Sequence, residues 1–329
     1  MTDMKIIVDA FGGDNAPLEI IKGCAQSVEE LGANIILTGN EKIIRETAEK
    51  NNISLNNIEI EDCSEVITME DKADAVLKTK KDSSMAVGFK LLNEGRGDAF
   101  ISAGNSGALC VGATLAVKRI KRIKRPAFAP VIPSETGCLM LLDGGANVDC
   151  RPEMLFQFAV MASVYMERVM KIPNPRIGLA NVGSEDHKGT ELYRETYALL
   201  KDSELNFVGN VEGRDIPAGV CDVVVCDGFT GNMILKTYEG VAAVLMKQIK
   251  SIFSGSGKGK LAAAMVLKDL KDMKNRFDYN TYGGAPILGS SKPVFKAHGS
   301  SKARTIKNAI RLCIDYVNAD AINEISSAL

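Results

Sequence analysis

The chain has 329 residues, 46% hydrophobic and 25% charged, enough apolar content for a large core and too much for a disordered polymer. Lysine and arginine number 40 against 41 aspartates and glutamates, a formal charge of -1, so no global field recruits nucleic acid. Eight cysteines without a C-x-x-C pair, and only His187 and His298 as histidines, argue against tetrahedral zinc and for a reduced, cytoplasmic protein.

Residues 5–9 read as a strand, preceded by an acidic Asp3 rather than a signal-peptide pattern. The strand ends in Asp9-Ala10-Phe11-Gly12-Gly13-Asp14. Helix 18–31, strand 34–38, helix 41–51, strand 58–62 and helix 83–94 follow from their periodicity. Strand 99–102 runs into Ala103-Gly104-Asn105-Ser106-Gly107 and a helix over 108–120. The uncharged run 99–117 is long enough to raise a membrane span, but its glycine turn would leave backbone groups unsatisfied in lipid. Strand 139–143, helix 152–169, strand 176–181, helix 189–200 and strands 205–208 and 220–226 continue the alternation. The last of these enters Asp227-Gly228-Phe229-Thr230-Gly231-Asn232 and a helix over 232–253. A late strand at 293–296 enters Ala297-His298-Gly299-Ser300-Ser301 and a helix over 301–317.

Alternating strands and helices with continuously apolar strands predict an α/β fold, a mostly parallel sheet covered on both faces. One domain over 1–329 is expected, with a segment at about 251–280 leaving the sheet after Ser254-Gly255-Ser256-Gly257. Ligands bind such sheets beyond the carboxyl ends of the strands, where the polar turns fall. Glycine- and hydroxyl-rich turns that start helices suit an anion, because unpaired N–H groups and the helix dipole converge there. Three such turns point to phosphate.

Seven motifs occur in order. They are Asp9-Ala10-Phe11-Gly12-Gly13-Asp14, Gly104-Asn105-Ser106-Gly107-Ala108, Leu142-Asp143-Gly144-Gly145-Ala146-Asn147 and Gly209-Asn210-Val211-Glu212-Gly213-Arg214-Asp215, then Cys226-Asp227-Gly228-Phe229-Thr230-Gly231-Asn232, Tyr282-Gly283-Gly284-Ala285-Pro286 and His298-Gly299-Ser300-Ser301. Over nearly its whole length the chain resembles the bacterial phosphate acyltransferases of phospholipid synthesis, which act on acyl-acyl carrier protein. Phe11 and Ser184 depart from that pattern, where the family more often has Met and an acidic residue. The resemblance implies a Rossmann-like α/β/α homodimer, soluble or peripheral on a membrane. It would pass a long acyl chain from the carrier's thioester to inorganic phosphate and deliver acyl phosphate to a membrane acyltransferase. It implies no cofactor and no metal.

The chemistry requires an anion seat, donors to a thioester oxyanion and cationic help for the thiolate. Phosphate is itself the nucleophile, which suits a chain without a G-x-S-x-G elbow. Lys188 and Asn232 are the candidate catalytic residues, read otherwise as a solvated first-turn lysine and a helix cap. Asp9, Gly12, Gly13, Asp14, Gly104, Asn105, Ser106, Asn181, Asp227, Thr230, Gly231, His298, Ser300 and Ser301 are the candidate phosphate or substrate contacts. Turn-fixing caps and a structural histidine are the bland alternatives. Asp9, Asp14, Asp143, Asp227 and Glu185 would suggest Mg²⁺ only if they converged.

Two basic segments remain. Lys121 and Arg122 belong to a cluster over 118–125, and Lys258, Lys260, Lys268 and Lys271 lie on an amphipathic stretch. Both read as carrier-protein or membrane contacts, or as solvated faces. Nucleic acid fits poorly, since no aromatics interleave the cations. The rival functions are a phosphate acetyltransferase-like enzyme using acyl-coenzyme A and a non-catalytic nucleotide- or anion-binding protein.

Overall fold

The structure, a computed structural model, describes residues 4–276 and 283–329, without the side chains of Lys260, Lys274, Asn275 and Arg276. Tyr282 of the sixth motif and the end of the 251–280 segment lie outside the described residues.

Strand Lys5–Asp9 (β1) is buried from Ile6 onward, as an apolar run inside a parallel sheet must be. It is followed by Leu18–Leu31 (α1), Asn34–Gly39 (β2), Glu41–Lys50 (α2), Ile58–Asp62 (β3), Ala75–Lys78 (α3), Ser84–Glu94 (α4), Ala99–Ser102 (β4) and Ser106–Val111 (α5). A π-helical turn, Gly112–Ala116, leads to Ala127–Phe128 (β5), Val131–Ser134 (β6), Gly137–Leu142 (β7), Pro152–Arg168 (α6), Ile177–Asn181 (β8), Glu191–Lys201 (α7), Phe207–Glu212 (β9) and Val223–Val225 (β10). The remaining described elements are Gly228–Ser254 (α8), Gly257–Met265 (α9), Leu267–Arg276 (α10), Ala285–Leu288 (β11), Val294–Lys296 (β12), Ala303–Asn318 (α11) and Ala321–Ser327 (α12).

These strands form two sheets, ordered β3-β2-β1-β4-β12-β11-β5 and β6-β7-β10-β8-β9. In the first, β1, β2, β3, β4 and β12 are parallel while β11 and β5 run against their neighbours. In the second, β7, β10, β8 and β9 are parallel and β6 is an antiparallel edge.

Pleating sends alternate side chains to opposite faces. Ile6 and Val8 pack with α1 and α11, and Ile7 packs with Phe100 and α4, so the first sheet is covered on both sides. The first of these cores continues through α6 into Met140, Leu142, Val223 and Val225 of the second sheet. Leu139, Leu141 and Val224 form a separate cluster on its other face. The α/β fold with mostly parallel sheets is therefore present, as two sheets joined through one continuous core.

The helix expected over 108–120 ends early. After the π-helical turn the chain reaches Lys118 with φ 73 and pairs with the β11–β12 connection, where Ile120 N donates to Gly289 O at 2.9 Å. Lys121 and Arg122 are exposed on that loop, while Ile120 and Ile123 anchor it in the core. Strands β5, β6 and β11 had no counterpart in the sequence pattern. Pro133 and Pro286 sit within two of them, and proline does not announce a strand; β6 tolerates it as an edge. No helix among the described residues is long and apolar enough to cross a membrane.

Candidate active site

Parallel neighbours present their carboxyl ends on one side. In the first sheet β1, β4 and β12 release the turns at Asp9–Asp14, Ser102–Ser106 and Ala297–Ser301 beside one another. In the second, β7, β10 and β8 release the loops containing Asp143–Asn147, Asp227–Asn232 and Asn181–Lys188. A cavity of about 590 Å³ opens between the two sets of turns, within the roughly 300–1,000 Å³ of small-molecule sites. Asp14, Gly104, Ser106, His298 and Gly299 line it from the first sheet, and Gly144, Gly145, Ala146 and Asn232 from the second. Met69, Val111, Phe128, Val131, Ile132 and Leu235 give it an apolar wall.

The first-sheet turns hold one another. Buried Asp9 accepts from Ser102 Oγ at 2.7 Å and from Phe11 N at 3.1 Å, while Ser102 Oγ accepts from Gly104 N at 3.0 Å. Burial pushes the Asp9 carboxyl above the usual range despite these donors. Gly12 lets the turns meet, since a Cβ there would lie 2.6 Å from Gly104 N. Asp14 N donates to Gly299 O at 2.8 Å, and Asn15 Nδ2 reaches Ser300 O at 3.1 Å and Ser301 O at 3.2 Å. Gly13 makes that bend with φ +99.

His298 Nδ1 accepts from Ser300 N at 3.2 Å and lies 2.8 Å from Ser300 Oγ. That places the ring proton on Nε2, and burial lowers the imidazole's pKa, so it stays neutral at pH 7. The Ser301 hydroxyl is buried with no hydrogen-bond partner among the described residues.

Several candidate anion ligands are committed elsewhere. Asn105 Oδ1 caps α5 through Ala108 N at 3.1 Å, and its Nδ2 donates to Thr68 O and Asp71 O. The Asp227 turn is not an open anion seat either. Gly228 N donates to Asn147 O, Thr230 N to Asp227 Oδ1 and Gly231 N to Asp227 O, so the cap and the neighbouring loop already satisfy these groups. Thr230 Oγ1 and Tyr193 Oη also donate to Asp227 Oδ2, at 2.8 and 2.6 Å. Tyr193 had no signal in the sequence that could have tied it to this turn.

Asn181 secures its own loop, donating to Lys188 O at 3.2 Å and accepting from Val182 N at 2.8 Å. Lys188 is 42% exposed and its Nζ lies 3.9 Å from Glu185 Oε1. It stands outside the cavity lining, whereas Asn232 is part of it. The structure thus keeps the two candidate catalytic residues on the same sheet edge without joining them in one cavity wall. The five acidic candidates do not converge, and among the described residues no three His, Cys, Asp or Glu side chains group for a metal.

Among the lining residues that the sequence did not single out, Lys296 stands apart. Lys296, at the end of β12, is 8% exposed and donates to Ala103 O at 3.0 Å and Ala297 O at 2.6 Å. Burial pulls its ammonium down from 10.5 to about 8. Between those values the unfolded chain binds the proton and the folded protein does not, so this lysine makes stability rise with pH there. In phosphate-free urea titrations, the stability difference between wild type and Lys296→Met is therefore expected to move in favour of wild type from pH 8 to 10.5. A pH-independent difference would contradict that burial.

The fold is shared with solved enzymes. A phosphotransacetylase from Streptococcus pyogenes superposes with a TM-score of 0.65 at 17% identity, over 97% of this chain and 94% of that one. The EutD phosphotransacetylase from Staphylococcus aureus gives 0.58 at 15%, over 99% and 94%. These likenesses define an α/β fold of the phosphotransacetylase kind. In sequence, residues 4–324 match the fatty acid synthesis protein family. The phosphate acyltransferase of Thermoanaerobacterium thermosaccharolyticum is 48% identical over 323 residues, 98% of this chain and 96% of that protein. That of Acetivibrio thermocellus is also 48% identical, over 98% and 95%. The chain belongs to this phosphate acyltransferase family and is an acyltransferase.

Proposed function

We propose that the enzyme transfers a long-chain acyl group from acyl-acyl carrier protein to inorganic phosphate. The observation that carries this reading is the cavity's two-sided lining. Its apolar wall suits an acyl chain, and its polar end at the strand termini suits an anion. A phosphate oxygen attacks the thioester carbonyl, the new C–O bond forms, and the C–S bond breaks. The carrier's thiolate then takes up a proton and acyl phosphate leaves. Asn232 donates its amide to the carbonyl oxygen as negative charge develops there. Lys188, on the neighbouring loop of the same sheet edge, supplies positive charge to the departing thiolate.

Helices α8–α10 supply the outward contacts in this reading. Beyond Leu235, α8 has few buried side chains, and Val241, Val244, Leu245 and Ile252 are exposed with Leu261 and Met265 of α9. Such an apolar surface supports a homodimer contact and, with exposed Lys258, Lys268 and Lys271, peripheral attachment to an anionic membrane. Lys121 and Arg122 fit the acidic carrier protein. Attachment there would pass acyl phosphate to a membrane acyltransferase.

The test is free thiol released from long-chain acyl-acyl carrier protein, with and without phosphate. Phosphate-dependent release, faster than from the matching acyl-coenzyme A, is expected. Faster release from short acyl-coenzyme A would replace the donor, and tight anion binding without thiol release would remove the enzymatic mechanism.

A further inference from the structure

The proposed reaction leaves open which group neutralises the bound phosphate. The candidate helix starts are largely closed by their own caps, and Lys188 is exposed beside Glu185. Lys296 differs from both. Its ammonium has three N–H bonds, of which two go to the neutral carbonyls of Ala103 and Ala297. Among the described residues no carboxylate lies within 4.0 Å of it, although burying an unpaired charge is costly. The side chain is 8% exposed and lines the cavity together with Gly104, Ser106 and His298.

We infer that Lys296 is the phosphate-binding cation of the site, its remaining N–H directed to an oxygen of the acceptor phosphate and then of the acyl phosphate product. This rests on the proposed function, in which phosphate is the acyl acceptor, and adds the residue that holds it. An anion would compensate the charge that the described residues leave unpaired, and the apolar wall beside it strengthens the contact. The surrounding charged and titratable groups fit. Lys236 on α8 is occupied by Glu239 at 2.8 Å, so that pair contributes little net charge. Cys110 on α5 stays protonated, its thiol pushed up to about 12 by burial. Asp9 is engaged with Ser102, and His298 is neutral at pH 7. Asp14 faces the same cavity as an acceptor, which matches a phosphate that still carries a proton. The sequence hid this role because Val294-Phe295-Lys296 looks like a strand ending in a surface lysine.

The experiment measures the Kd for inorganic phosphate alone, and the KM for phosphate during acyl transfer, in wild type, Lys296→Met and Lys296→Gln. Met keeps the apolar stem, and Gln keeps a donor for the carbonyls while losing the charge. Both variants are expected to raise the Kd and KM for phosphate at least tenfold, with the KM for the acyl donor changed less than threefold. Thermal midpoints without phosphate show whether each variant is folded. A folded variant of either kind with wild-type phosphate Kd and KM would overturn the assignment while leaving the transferase reading intact. A wild type that neither binds phosphate nor uses it would remove both.

Discussion

Replacing Asn232 by Ala is expected to lower kcat about 100-fold while leaving the fold and the KM for phosphate near their wild-type values. Asn232 lies in the first turns of α8 and lines the cavity, and among the described residues its side chain donates only to Gly144 O, at a long 3.4 Å. The amide is therefore loosely held before substrate binds and can turn to a carbonyl oxygen as it becomes anionic. Removing one such donor costs roughly 10²–10³ in kcat in other acyl-transfer sites. Gly145 keeps the space open with φ +135, since a Cβ there would come 2.8 Å from Asn232 Nδ2. Asn232→Asp, which exchanges the donor for an acceptor of the same shape, is expected to be at least as impaired. Wild-type kcat in Asn232→Ala, by steady-state kinetics, would remove the residue from the mechanism.

The largest stability effect is expected at Asp143, where Asp143→Ala should destabilise the protein by about 3–5 kcal/mol. Its Oδ1 accepts from Phe128 N, Gly145 N and Ala146 N at 3.0–3.1 Å, and Oδ2 from Asn147 N and Nδ2 at 2.6 and 2.8 Å. Phe128 belongs to β5 of the first sheet and Asp143 follows β7 of the second, so one buried carboxylate fastens the sheets and shapes the cavity wall. Burial pushes its pKa up against those donors. Alanine would orphan five N–H groups at once, and Asn would lose one acceptor and oppose a donor with a donor. Urea titration measures the cost. A loss under about 1 kcal/mol would contradict the role of this carboxylate as the joint between the sheets.

The sequence shows why the strands were readable and their assembly was not. Runs such as Ile6-Ile7-Val8 and Val223-Val224-Val225 are apolar on both faces, so their parallel, buried state follows from composition alone. The division into two sheets depends on short antiparallel pieces, β5, β6 and β11, whose prolines and two- to four-residue lengths give no periodic signal. The site divides in the same way. Glycine turns at strand ends are legible as a place where polar groups gather, and Gly104, Ser106, Asn232 and His298 line one cavity there. Which side chains stay available was invisible, because it depends on partners far away in the chain. Asn105 is taken by Thr68 and Asp71, and Asp227 by Tyr193. Lys296 escaped notice because its burial comes from packing against the turn at Ala103, 193 residues earlier.

The most direct measurement is the product itself. Long-chain acyl-acyl carrier protein, phosphate and enzyme are mixed, unreacted thioester is separated from the product, and only then is hydroxylamine added and acyl hydroxamate quantified against a phosphate-free control. The two-sided cavity predicts hydroxamate that scales with phosphate, in equal amount to released thiol, and that falls about 100-fold in initial rate with Asn232→Ala. Thiol release that yields only free fatty acid at every phosphate concentration would contradict it, because water rather than phosphate would then be the acceptor.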